Sequence, residues 1–412
     1  MSAHVAAGAD RADGRDTAAR MADSLRAGVR GAGRFRIIEI VAGFILFTGL
    51  PVTLPFKSEA VTLGLLLVIS LGRKPLRDLG KLQLLVPILV IAVSYLALVS
   101  FTATPTELAA DWRGRLLRMV VVLGFAIVVA SGRLDLRSIL AGFAAASLVN
   151  IPLFYAGLVS RNYGDYLTGW AGDKNYSGLV YCITGILLLA YAKSPYLRFL
   201  VVVVYSSALW LTGSRTSLAA FAGAMIWILI APRVNLVGRW LLAGVIYWGV
   251  MITAEDYSQI GQFSDREGSD LLRARIDEAA QIKTDGAGFF GMGLGEAVVK
   301  MDGGRWFFHN SYLSALVEGG WPWLLAIVLI TVVVMLQPFK AHLTRAELYA
   351  QALAVGILIC AWRLGEVFVT VPWALALAFA LIAQVEASKP PAEEAADGEP
   401  LPGERALVSD DR

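Results

Sequence analysis

Residues Leu82 to Thr102 read LQLLVPILVIAVSYLALVSFT, a run without a single Asp, Glu, Lys or Arg. A helix of that length rises about 30 Å, the thickness of a bilayer's hydrocarbon core. Working outward from it, apolar runs recur near 37–56, 58–72, 116–131, 138–159, 176–192, 196–212, 215–231, 237–254, 312–336, 346–365 and 367–386. The composition agrees: 57% of residues are hydrophobic and 17% charged, against roughly 45–50% and 25% in soluble domains. The expectation is an all-α, polytopic integral membrane protein with about 12 transmembrane helices. No internal repeat is visible.

Short-loop charges set the orientation. Lys and Arg collect at 73–81, 132–137, 193–198, 232–239 and 337–345, every second loop. By the positive-inside rule these loops, and both termini, are cytoplasmic. Residues 1–35 and 388–412 read as disordered cytoplasmic tails. The first apolar run begins only near Ile37, without a signal-peptide layout. Residues 36–254 hold helices 1–9, and 312–387 hold helices 10–12. Between them, 255–311 is too long for a bare connector and reads as a functional periplasmic loop containing a short helix at Ser269–Ile282.

Several classes drop out. A net charge of +3, with basic residues dispersed, gives no nucleic-acid surface. Cys182 and Cys360 both lie in apolar runs, against a disulfide or zinc site. No second outward histidine and no carboxylate cluster offers a metal site, and no cofactor is expected.

On the outward side stand Arg113, Arg115, Arg118, Arg161, Lys174, Arg215, Arg266, Arg273, Arg275 and Arg305. Such guanidiniums need an anion, and at this depth the natural one is a lipid diphosphate. Beside them stands His309, whose side chain titrates near neutrality. Each has a plainer alternative. Arg215 could snorkel to headgroups. Arg273 with Asp277, and Arg275 with Glu278, could be surface pairs. Asn310 or Ser311 would cap the next helix, and Asn175 the helix after Lys174. Glu318 could orient the histidine or pair with an arginine, and Arg363 would pair with Glu366. Gly291, Gly293 and Gly295 are weak evidence for phosphate binding, since no clear strand precedes them.

Taken in order, Gly213-Ser214-Arg215-Thr216, Arg273-Ala274-Arg275-Ile276, Gly291-Met292-Gly293, and His309-Asn310-Ser311-Tyr312-Leu313 with Glu318-Gly319-Gly320 resemble the O-antigen ligase and polymerase family of bacterial membrane glycosyltransferases. The resemblance covers about 212–322. It departs at Lys174, where the family has proline, and at Asp277, where an aromatic is usual. It implies a metal-independent enzyme of the inner membrane using an undecaprenyl-diphosphate-linked glycan. Arg215 and Arg273 would bind diphosphate, with Arg161 and Arg275 as further candidates, and His309 would be the essential histidine. Lys174, Asn175, Glu318 and Asn310 would support them. The chain's compact size and single late loop favour ligase, with a lipid A-core acceptor, over polymerase. A flippase or transporter would bury charges mid-span and show pseudo-symmetric broken helices. A glycan-binding scaffold would tolerate loss of His309.

Overall fold

A computed structural model describes residues 35–50, 58–255, 267–301 and 303–388. The two expected tails lie almost wholly outside the described residues, as does Arg266.

Helices form at all twelve expected positions: α1 (Ile37–Thr48), α2 (Ser58–Leu71), α3 (Leu85–Thr102), α4 (Trp112–Ala130), α5 (Leu136–Tyr155), α6 (Lys174–Tyr191), α7 (Pro195–Thr212), α8 (Arg215–Ile230), α9 (Leu236–Glu255), α11 (Ser311–Ile330), α12 (Arg345–Arg363) and α13 (Val371–Ser388). The loop helix α10 (Glu267–Asp285) follows α9 and is slightly longer than its spacing predicts. Among the described residues seven helical stretches, containing α3, α5, α7, α8, α11, α12 and α13, are long and apolar enough to cross a membrane. The apolar parts of α1, α2 and α9 are shorter, and α4 carries Arg113, Arg115 and Arg118 in its first two turns.

The late loop is not purely helical. Val298–Met301 (β1) and Gly304–Phe307 (β2) form an antiparallel hairpin, pairing Val299 with Trp306. The β-branched pair at Val298 and Val299, the turn glycine Gly303 and Gly304 at the start of β2 carry that signal. They are only four residues a side, too short for periodicity to stand out.

Helix starts follow the sequence closely. Asp111, Asp135 and Asp173 accept hydrogen bonds from the first-turn N–H groups of α4, α5 and α6. Thr344 and Glu347 form a reciprocal capping box on α12. Glycine sets the closest approaches. A Cβ on Gly142 would stand 1.8 Å from the Ile40 carbonyl oxygen, so α1 and α5 touch backbone to backbone.

The arginine-lined loops gather at one end of the bundle. Arg36 and Arg73 both donate to the Arg133 carbonyl, and both pair with the buried Glu39. Arg137 lies over the Tyr191 ring. Arg345 donates to Ala192 O, and Arg239 to Lys340 O and Ala341 O. All five basic loops are thus on one side, tied together by hydrogen bonds from these arginines to loop carbonyls and to the C-cap carbonyl of α6.

At the other end α11 is broken. Gly320 adopts φ 64°, ψ −165°, and Pro322 has no N–H to give. The freed groups are taken up by the glycine-rich stretch. Met292 N donates to Val317 O at 2.7 Å and Gly293 N to Glu318 O at 3.0 Å, while Trp321 N donates to Phe289 O at 3.0 Å. Tyr95 Oη, from α3, donates to Gly319 O at 2.9 Å.

Candidate functional site

The starts of α6, α8 and α11 and the end of α12 meet at this second end. Packing of α8 against α12 runs from Trp227 Nε1, which donates to Gln351, to Gly223 beside Ile359. The pair is therefore antiparallel, and Arg215 at the start of α8 lies toward the Arg363 end of α12. The start of α6 reaches the same place, because Gly178 lies against Ser214 and Ser217.

His309 is held by its backbone neighbours. Phe308 N donates to Ala297 O at 3.1 Å, and the Phe308 carbonyl presses on Gly365, where a Cβ would stand 1.9 Å away. The Phe308 ring joins a small apolar cluster with Ile276, Ala280, Ala297, Val299 and Val317, which docks α10 on α11 and the hairpin. Asn310 caps α11 as expected, accepting from Tyr312 N and Leu313 N. Ser311 and Ser314 tie that cap to the Leu364 and Gly365 carbonyls.

The half-buried His309 ring has Arg273, Lys174 and Asp173 in electrostatic reach. Burial first, then the Arg273 charge, lowers its pKa to about 4; Lys174 adds to this and Asp173 opposes it. Histidine so placed is neutral at pH 7. Tyr163 completes the group: its hydroxyl donates to Asp173. Burial and the Asp173 charge push the phenol up to about 12 against Arg273. The Lys174 ammonium sits over the Tyr163 and Tyr166 rings, 5.8 and 5.4 Å from their centroids.

Arg273 and Arg275 separate here. Arg273 is half-buried and acts on His309, Tyr163 and Asp277. Arg275 is exposed, two residues round the helix. Asp277 does not serve mainly as a local partner of Arg273. It faces Arg363 at 3.5 Å, and its carboxyl is raised by burial against both arginines. The expected Arg363–Glu366 pair is replaced, for Glu366 takes Arg115 and Arg118 of α4. Glu318 takes Arg115 at 2.9 Å and also accepts from Gly295 N, so it does not orient His309.

Three other expectations are corrected or relocated. Asp173, rather than Asn175, caps α6; its carboxylate accepts from Asn175 N at 2.8 Å. The glycines are packing devices. The N–H groups of Met292, Gly293, Leu294 and Gly295 already donate to protein oxygens, leaving none of these four for a phosphate. Arg161 Nε and Nη2 donate to the Phe154 and Tyr155 carbonyls, so its guanidinium caps the end of α5.

Tyr163 and the role of Asp173 escape a reading of the chain alone. The only sequence cue is an aspartate directly before Lys174 at an outer helix start. Among the described residues no group of three His, Cys, Asp or Glu could hold a metal ion. No family model matches the chain, and no curated protein matches it.

Proposed function

We propose that the chain is a glycosyltransferase of the O-antigen ligase type. It moves a preassembled glycan from undecaprenyl diphosphate to a lipid A-core sugar hydroxyl. The orientation follows the positive-inside rule: inner membrane, twelve spans, both termini cytoplasmic and His309 on the periplasmic side.

One observation carries this reading. A neutral imidazole stands beside two cations, Arg273 and Lys174, at the end of the bundle where α6 and α11 begin. The imidazole of His309 accepts the proton of the acceptor hydroxyl as its oxygen attacks the anomeric carbon. The bond from that carbon to the diphosphate oxygen breaks, and the electron pair leaves with the diphosphate. Arg273 and Lys174, with Arg215 from the start of α8, offset the charge that builds there. A single displacement inverts the anomeric centre.

The test is a deletion strain complemented with wild-type or His309→Ala chain, read by lipopolysaccharide banding. The ligase reading expects polymerised glycan retained on the carrier lipid with His309→Ala. Single repeats on the core would instead assign a polymerase. Transport of lipid-linked glycan by empty vesicles, without glycosidic transfer, would assign a flippase.

A further inference from the structure

Residues 286–295 read Gly-Ala-Gly-Phe-Phe-Gly-Met-Gly-Leu-Gly, ten positions without one polar side chain, inside a loop otherwise rich in charge. We propose that this stretch is a re-entrant turn, and that Phe289 and Phe290 stand among the lipid acyl chains of the adjacent leaflet. The inference rests on α3 and α11 crossing the bilayer, and is independent of the glycosyl-transfer reading.

Depth comes from two helices. The stretch is bonded to α11 at Val317, Glu318 and Trp321. Gly319 lies about 12 Å along the helix from Ser311 at 1.5 Å per residue. It is bonded to α3 through Tyr95, whose hydroxyl reaches Phe290 O at 3.2 Å and Gly319 O at 2.9 Å. Tyr95 lies about 10 Å along α3 from Thr102 by the same rise. Through this zone α3 carries no charged residue, and α11 carries only Glu318, buried against Arg115. The turn therefore sits well inside the ends of two membrane-crossing helices.

Non-helical backbone is tolerated at that depth only where protein satisfies it. Here the arm leaving the turn is satisfied: Met292, Gly293, Leu294 and Gly295 donate their N–H groups, the Phe289 carbonyl accepts from Trp321 N, and the Phe290 and Gly319 carbonyls share the single Tyr95 hydroxyl proton. The side chains face the other way. Phe289 and Phe290 are 58% and 62% exposed, packed edge to face with centroids 5.1 Å apart. Their patch continues into Trp321, Leu325 and Leu329, exposed at four-residue spacing on α11. That stripe is the outer face of an apolar span, where hydrocarbon is the surrounding solvent. An exposed diphenylalanine continuous with it takes the same occupant.

Site-directed spin labelling of the full chain in liposomes tests this. Cys182 and Cys360 are fully buried and do not label. Labels go at Phe290→Cys and separately Phe289→Cys, exposed positions whose substitution removes little packing. Leu325→Cys is the lipid-facing reference, and Phe307→Cys, exposed on the hairpin, the aqueous one. The expected result is oxygen accessibility at 289 and 290 matching that at 325, with nickel-chelate accessibility several-fold below that at 307. Nickel accessibility equal to that at 307 would overturn the proposal. So would low accessibility to both reagents, which would mean that protein, such as a second copy of this chain, covers the patch.

Discussion

Arg115 donates to Glu318 at 2.9 Å, joining α4 to the break in α11. Their side chains are 13% and 2% exposed. Removing one member of a buried pair costs about 3–5 kcal/mol where the other charge is left alone; Arg115 keeps Glu366, so the loss on removing Glu318 falls below that. Glu318→Ala should lower the unfolding midpoint in detergent markedly. Glu318→Gln keeps an acceptor for Gly295 N and should lose less. A Glu318→Ala protein that unfolds like wild type would remove the pair from the fold's essential contacts.

Gly320 and Gly291 cross at that same break. At Gly320, φ is +64° and an added Cβ would stand 2.0 Å from Phe289 O; at Gly291 it would stand 2.5 Å from Gly320 N. Backbone atoms cannot swing away as side chains do. Gly320→Ala and Gly291→Ala should therefore fail to give monodisperse protein by size exclusion. Gly288 also has positive φ, +71°, but opens on empty space. Gly288→Ala should cost only the left-handed backbone strain, about 1–2 kcal/mol. Equal behaviour of all three would contradict the packing role given to the stretch.

The Asp277–Arg363 pair fastens α10, and with it Arg273, to the end of α12. Both side chains are about one-third exposed, so the pair contributes little to stability, about 1 kcal/mol or less. Its effect should fall on the site. Arg363→Ala should leave the melting temperature within a few degrees of wild type while raising the KM for lipid-linked donor. Arg273→Ala should show the same direction more strongly, and Arg275→Ala should not. A donor KM unchanged by Arg363→Ala would mean that the apolar cluster around Phe308 alone positions α10.

Much of this was legible in the chain because a bilayer imposes simple rules. Spans need uninterrupted apolar length, and the basic loops that mark one side do gather at one end. Asn310 before Ser311 and Tyr312 announced a helix cap, and the structure has it. What stayed hidden depends on contacts between distant segments. Arg115 and Glu318 come from two separate helices and Glu366 from the connection after α12, so no spacing rule pairs them. Asp277 and Arg363 are equally remote, and local i,i+4 logic favoured Arg273 instead. The glycines were ambiguous in principle. Close approach to a ligand and close approach to another backbone demand the same residue, and only the hydrogen bonds of Met292 to Gly295 distinguish them.

His309 gives the sharpest pH dependence. Its pKa is lowered from 6.5 to about 4, with burial the largest cause and the Arg273 charge next. Between those values the unfolded chain binds a proton that the folded chain refuses, so stability falls as pH drops through that window and levels off below it. Above the upper value the group contributes no slope. His309→Gln should abolish this part of the acid sensitivity. Catalysis should show the complementary effect. The acid limb of kcat/KM reports the free enzyme and should lie near the depressed value. A bound diphosphate offsets the charges of Arg273 and Lys174 and favours the imidazolium, so the acid limb of kcat should lie at higher pH. Two coincident limbs at the ordinary imidazole value would show that neither burial nor these cations governs His309, and would take the base assignment with them.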